Sequence, residues 1–194
     1  MGIAAKGLPR PNGTPRIPGR MKIIHWARYS WNADSLGEQT PGKLPVNCVV
    51  RPAARRDLDA VQLVIENSFT LDTDWAEYYK RFRVGLAEQV EQAFEQSDAS
   101  CLVLAHGSRI IGASVFTLDP LAENHLISGP CILLEYRNRG LGSDTLWRTL
   151  QALRQAGLKR MYGVTRKTVP ASKFVYPKFG GISEPYELPI GTSV

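Results

Sequence analysis

The residues best suited to chemistry lie between Gly129 and Ser143: Gly-Pro-Cys-Ile-Leu-Leu-Glu-Tyr-Arg-Asn-Arg-Gly-Leu-Gly-Ser. A β-rich run enters a glycine-containing turn, and an amphipathic helix begins directly after it. The first amides of a helix have no internal acceptor, and the helix dipole is positive at that end. Gly140 and Gly142 let the backbone approach a bulky anion without Cβ clashes, while Arg137 and Arg139 add fixed positive charge. Such a corner suits a phosphate group. A P-loop is excluded because G-x-x-x-x-G-K-[ST] does not occur in the chain. A dinucleotide fingerprint is excluded because its third glycine position holds Thr145, and because the motif follows a β-meander instead of opening a first βαβ unit. By spacing alone, a plain glycine turn with incidental arginines remains open as the alternative.

Elements on both sides must position this corner. Residues 46–51 are β-rich and stop at Pro52. Apolar spacing predicts a helix over residues 57–68 and a longer one over 74–96, with Asp74 and Glu77 as capping groups. The aromatics of the longer helix read as core. Residues 100–106 and 109–118 flank Gly107-Ser108, the pattern of a hairpin. A third strand over 125–135 then leads into the glycine turn. Residues 142–156 form a helix with Leu146, Leu150 and Leu153 on one face; a strand over 160–165 and a short helix over 170–178 follow. A last strand falls near 186–190. The order β-α-α-β-β-β-α-β-α-β predicts an α+β fold, with a mixed, mostly antiparallel central sheet flanked by helices.

With these residues in place, the chain resembles the GCN5-related N-acetyltransferases, the GNAT superfamily. Arg137-x-x-Gly140-x-Gly142 matches the [QR]-x-x-G-x-[GA] signature of that family. The segment from Ala171 through Tyr176 to Gly181 is similar to its A-x-x-L-Y-x-K-x-G-F helix, read with one extra residue after Phe174. The resemblance covers roughly residues 46–190. It implies a direct transfer in which acyl-CoA lies between two splayed strands, here 125–135 and 160–165, and an acceptor amine attacks the thioester. Acetyl-CoA is the implied co-substrate, with no metal. Backbone near Ile132, Leu133 and Leu134 would pair with the pantetheine and polarise the thioester carbonyl. The amides of Arg137, Asn138, Arg139, Gly140, Leu141, Gly142 and Ser143 would hold the pyrophosphate. Tyr176 stands at the family's position for the acid that protonates the departing thiolate. The base varies within the family, and His125 and Glu123 are the nearest candidates. Family position would bring Trp75, Tyr78, Tyr79, Asp119, Glu123 and Glu187 to the acceptor pocket, where a small-molecule or peptide amine would bind. Two departures stand out: Leu134 replaces a frequent proline, and Gly181 replaces a usual phenylalanine, with Phe179 nearby as a substitute anchor.

Composition narrows the remaining classes. The chain has 194 residues, 43% hydrophobic and 22% charged, the balance of a soluble globular protein. No apolar run reaches the ~18 residues that span a bilayer, and the start lacks the apolar core of a secretory signal. A cytoplasmic protein without a membrane partner is expected. Cys48, Cys101 and Cys131 are odd in number and widely spaced, so they read as buried free thiols and not as a disulfide framework or a metal knuckle. Nucleophilic catalysis has no support, since there is no G-x-S-x-G elbow and no motif pairs a cysteine with a histidine. The net charge of +6 resides in residues 1–30, which carry six basic and no acidic side chains. Residues 1–45 therefore read as a basic, Pro/Gly-rich arm, and 46–194 as the acyltransferase domain. Within the arm, Ile24, Trp26 and Trp31 are too apolar for a free linker and should dock on the domain or on a second copy in a homodimer. Met21 offers an alternative start. Two rival functions stay open: a non-catalytic acyl-CoA sensor or assembly module, and an arm-mediated nucleic-acid binder, though nucleic acid is not the expected main partner.

Overall fold

The computed structural model describes residues 25–36, 42–96 and 99–187. Two antiparallel sheets form the frame. The first contains, in spatial order, β2 (Cys48–Pro52), β3 (Ala99–His106), β4 (Arg109–Thr117) and the two-residue β5 (Cys131–Ile132). The second is β6 (Arg160–Arg166), β1 (Trp26–Asn32) and β7 (Ile182–Tyr186), with β1 in the middle. Helices α1 (Leu58–Thr70) and α2 (Ala76–Ala93) cover one side of the first sheet. Helix α3 (Leu141–Gln155) and the short α4 (Pro170–Phe174) pack against the second sheet and against Leu102 and Phe116 of the first. The α+β class and antiparallel pairing agree with the sequence reading.

The largest departure is at the N-terminal end. Trp26–Asn32 lies in the stretch assigned to the arm, yet it pairs along its whole length with β6 and along five residues with β7. Alternation explains why. Ala27, Tyr29 and Trp31 all point into the second core, where Trp31 is 1% exposed. Burying a side chain of that size contributes on the order of 2–3 kcal/mol. Tyr29 adds a hydrogen bond to the Ser172 carbonyl (2.6 Å), and the Trp31 indole donates to the Lys178 carbonyl (3.0 Å). The fold thus reaches back to at least Trp26, and the boundary drawn at residue 45 does not mark its edge. Arg28, counted in the basic arm, is held by Glu184 and lies over the Tyr162 and Tyr186 rings.

Three elements differ from expectation. The strand expected over 125–135 keeps only β5, because Gly129 has φ +64°, Pro130 has no N–H, and Leu134–Tyr136 closes into a 3-10 turn. Residues 125–128 instead bridge the sheets: the Thr117 N–H donates to the His125 carbonyl, and the His125 N–H donates to the Tyr162 carbonyl. Helix α4 ends at Phe174, short of residue 178, since Pro177 cannot donate and Phe179 and Gly180 both have positive φ. The last strand lies at Ile182–Tyr186, ahead of the predicted 186–190, of which 188–190 fall outside the described residues.

Gly181, the departure from the family pattern, has a packing cause. A Cβ there would collide with the Tyr176 carbonyl and come 2.7 Å from the Trp31 indole nitrogen. Trp31 of β1 therefore occupies volume that a larger residue at 181 would need, and Phe179 is buried beside it in the same core.

Candidate active site

Between β5 and β6 the two sheets part, and a cavity of about 600 Å³ opens there. Its floor is Gly129–Ile132, its far wall is Val164 and Thr165 of β6 with Tyr176, and the α1–α2 connection with Trp26 and Trp75 forms the third side. The glycine loop closes one end.

The loop is built as an anion cradle. Asn138 (φ +61°) and Gly140 (φ +79°) reverse the chain, and α3 starts at Leu141. Arg137 N–H donates to the Leu134 carbonyl, and Ser143 and Asp144 N–H donate to the Gly140 carbonyl. The five amides between them, Asn138 through Gly142, donate to no protein acceptor among the described residues. A Cβ at Gly140 would meet nothing within 4 Å, so the space before the loop is open. Unpaired amides, a helix N-terminus and open space are the requirements for binding phosphate.

Arg137 is placed differently from the sequence reading. Its Nε donates to the Ile132 carbonyl (3.0 Å), and its two terminal nitrogens to Asp72 (2.6 Å) and the Ser68 carbonyl (2.7 Å). It straps the loop to the end of α1, with its charge paired to Asp72. Its side chain is a brace between the loop and α1. Arg139 is exposed, donates to the Glu135 carbonyl (3.2 Å) and lies over the Tyr136 ring.

The β5 positions separate by strand alternation. Leu133 N–H donates to the Ile111 carbonyl of β4 (3.0 Å), so that amide is already used within the sheet. Ile132 faces the other way, as its carbonyl bonded to Arg137 shows, which turns its N–H toward the cavity. Leu134 lines the cavity and is half exposed.

Tyr176 is buried (3% exposed) against Tyr29 and Trp31, with ring centroids at 5.3 and 5.7 Å. Burial raises its phenol well above the ordinary value, so it stays protonated at neutral pH. Its hydroxyl meets the position where a Gly129 Cβ would stand, at 2.7 Å. It forms no hydrogen bond with the described protein and lines the cavity. His125 is fully buried outside the cavity lining; its Nδ1 accepts the Tyr162 N–H (3.0 Å), and burial depresses its pKa. Glu123 is exposed and accepts the Tyr186 hydroxyl (2.8 Å). Of the acceptor-pocket candidates, Trp75 lines the cavity and Tyr78 packs on Trp26 (5.2 Å). Tyr79 instead stacks on Phe69 in the core, Asp119 caps its own turn, and Glu187 is exposed. Burial pushes the Cys101 and Cys131 thiols up to about 12, leaving no thiolate for chemistry.

Sequence reasoning missed Ser68 and Asp72 as site residues, and missed the packing of Gly129 against the Tyr176 hydroxyl. Only Gly129-Pro130 carried a local signal, since that pair marks a turn. Among the described residues no group of three or more His, Cys, Asp or Glu could hold a metal ion. No helix among them is long and apolar enough to cross a membrane.

The model of the Acetyltransferase (GNAT) family matches residues 67–180, from the end of α1 to the Gly180 turn. The chain belongs to that family. No curated protein matches the sequence. Among solved structures, the chain is similar to a GCN5-related N-acetyltransferase from Kribbella flavida (12% identity, TM-score 0.53, covering 84% of this chain and 56% of that one). It is also similar to one from Sphaerobacter thermophilus (13%, 0.54, 84% and 49%) and to a GCN5-related N-acetyltransferase-like protein from Streptococcus suis (14%, 0.51, 83% and 59%). At such identities these show the shared fold alone, and the chain covers only 49–59% of the length of these structures. Acyl transfer is the general chemistry of the GNAT family.

Proposed function

We propose that this GNAT protein moves an acetyl group from acetyl-CoA to a primary amine by direct attack. One observation carries the reading: a loop with five consecutive unpaired amides, Asn138–Gly142, borders a cavity lined by Asn138, Gly140, Leu141 and Gly142 and also by the protonated Tyr176. The amides would hold the pyrophosphate. The Ile132 N–H would polarise the thioester carbonyl, an interaction that strengthens as the oxyanion develops. The amine nitrogen bonds to the carbonyl carbon and the C–S bond breaks. Tyr176 gives its proton to the departing thiolate and takes one back from solvent, to which the amine releases its own.

Among the described residues no histidine and no unpaired carboxylate lines the cavity, which favours a second reading. Asp72, a carboxylate lining the cavity, is ion-paired to Arg137 at 2.6 Å, and His125 is buried away from the lining. A non-catalytic acyl-CoA sensor would use the same loop and need no base. Acetyl-CoA turnover with a panel of amines separates the two. The enzyme reading predicts amine-dependent CoA release that falls about 10²-fold or more in Tyr176→Phe, with acetyl-CoA affinity unchanged. Tight acetyl-CoA binding with no amine-dependent release would favour the sensor.

A further inference from the structure

Arg166, the last residue of β6, directly follows Val164 and Thr165 of the cavity lining. It pairs in register with Trp26, and its guanidinium carbon lies 5.6 Å from the centroid of Trp75; both tryptophans line the cavity. Its Nε is buried, yet has no hydrogen-bond partner. Among the described residues Arg166 makes no ion pair, and Asp72, the carboxylate among the residues lining the cavity, is engaged with Arg137.

A guanidinium left without an acceptor beneath an aromatic face has a fork of donors matched to a planar anion. The stacking on Trp75 keeps it oriented, and desolvation of Nε makes an incoming acceptor more favourable. Beside Ser68 and the paired Asp72, this wall is aromatic: Trp26, Phe69, Trp75 and Phe82.

We infer that Arg166 is a specificity-determining residue: it takes the carboxylate of an acceptor that carries both an amine and an apolar or aromatic side chain. This class is an amino acid or a peptide end, with the apolar part against Trp26 and Trp75. The inference rests on the acetyl-transfer reading given above.

The test uses the full chain saturated with CoA and two product-like probes, N-acetyl-L-phenylalanine and N-acetyl-L-phenylalaninamide. These differ only in the carboxylate, and the acetyl group removes the charge of the amine. Calorimetric titration should show the acid binding about tenfold or more tighter than the amide. Arg166→Gln should abolish that preference while leaving acetyl-CoA affinity unchanged, and Arg166→Lys should restore part of it. Equal affinity for the two probes, no binding of either, or a preference that survives Arg166→Gln would overturn the inference. An equal loss of acetyl-CoA affinity in Arg166→Gln would also overturn it, by placing Arg166 on the coenzyme. Failure of the wild-type chain to bind acetyl-CoA would instead defeat the acetyl-transfer reading itself.

Discussion

Replacing Gly140 separates the conformational role of the loop from its electrostatic one. The residue sits at φ +79°, and a Cβ there would touch nothing. Gly140→Ala should therefore cost only left-handed strain, about 1–2 kcal/mol, and lower the melting temperature by roughly 2–8 °C. Gly140→Asp carries the same strain and also puts a carboxylate into the space assigned to the pyrophosphate. One negative charge ~5 Å from a group bearing about two is opposed by roughly 2–6 kcal/mol, for an effective dielectric of ~80 to ~20. That weakens binding by at least about 25-fold. The assay is thermal unfolding with and without acetyl-CoA. At about 100 times Kd the wild type should gain ~2.7 kcal/mol, a rise of about 5–10 °C. Gly140→Ala should retain most of that rise, and a folded Gly140→Asp should show no more than about 2–4 °C at the same concentration. A full rise in Gly140→Asp would refute the placement of the pyrophosphate on this loop.

Further outcomes follow from the contacts. Arg137→Ala removes bonds to Asp72, Ser68 and Ile132 and should lower stability by about 2–3 kcal/mol, whereas exposed Arg139→Ala should change it by less than about 0.5; equal melting temperatures would contradict the bracing role. Gly129→Ala forces the Tyr176 hydroxyl aside, since its Cβ would lie 2.7 Å away. It should reduce kcat about 10–100-fold without changing acetyl-CoA affinity, and unchanged kcat would place the proton donor elsewhere. For pH, burial depresses the His125 imidazole below its ordinary 6.5, so the unfolded chain binds the extra proton and stability is lost as pH falls below that value. Asp57, held by Arg51 and brought from 3.8 to about 2, keeps its contribution until pH falls through 3.8 toward 2. Melting curves across acidic pH should show the first loss disappear in His125→Asn; its persistence would assign that window to another group.

Much of the site was legible because its signals are local. The strand-turn-helix order, the two glycines and the helix face of Leu146, Leu150 and Leu153 are readable within one window, and each holds in the fold. The rest depends on partners remote in sequence. Trp26 pairs with Arg166 and with Tyr186, well over a hundred residues away, so hydrophobicity could show that the segment docks but not that it forms the middle of a sheet. The charge of Arg137 was visible, but its partners Asp72 and Ser68 lie beyond any motif. The run 125–135 is mostly apolar without clear alternation, and periodicity cannot distinguish a strand from a buried crossing that Gly129 and Pro130 interrupt. His125 shows the same limit, because its neutral, buried state depends on the backbone of Tyr162.

The most direct test of acetyl-CoA use is calorimetric titration of the wild-type chain with acetyl-CoA, with ATP and NADH as controls. The proposed pyrophosphate contact at the loop Asn138–Gly142 predicts one acetyl-CoA bound per chain and at least tenfold weaker binding of either nucleotide. No heat with acetyl-CoA, or equal affinity for ATP, would contradict the account.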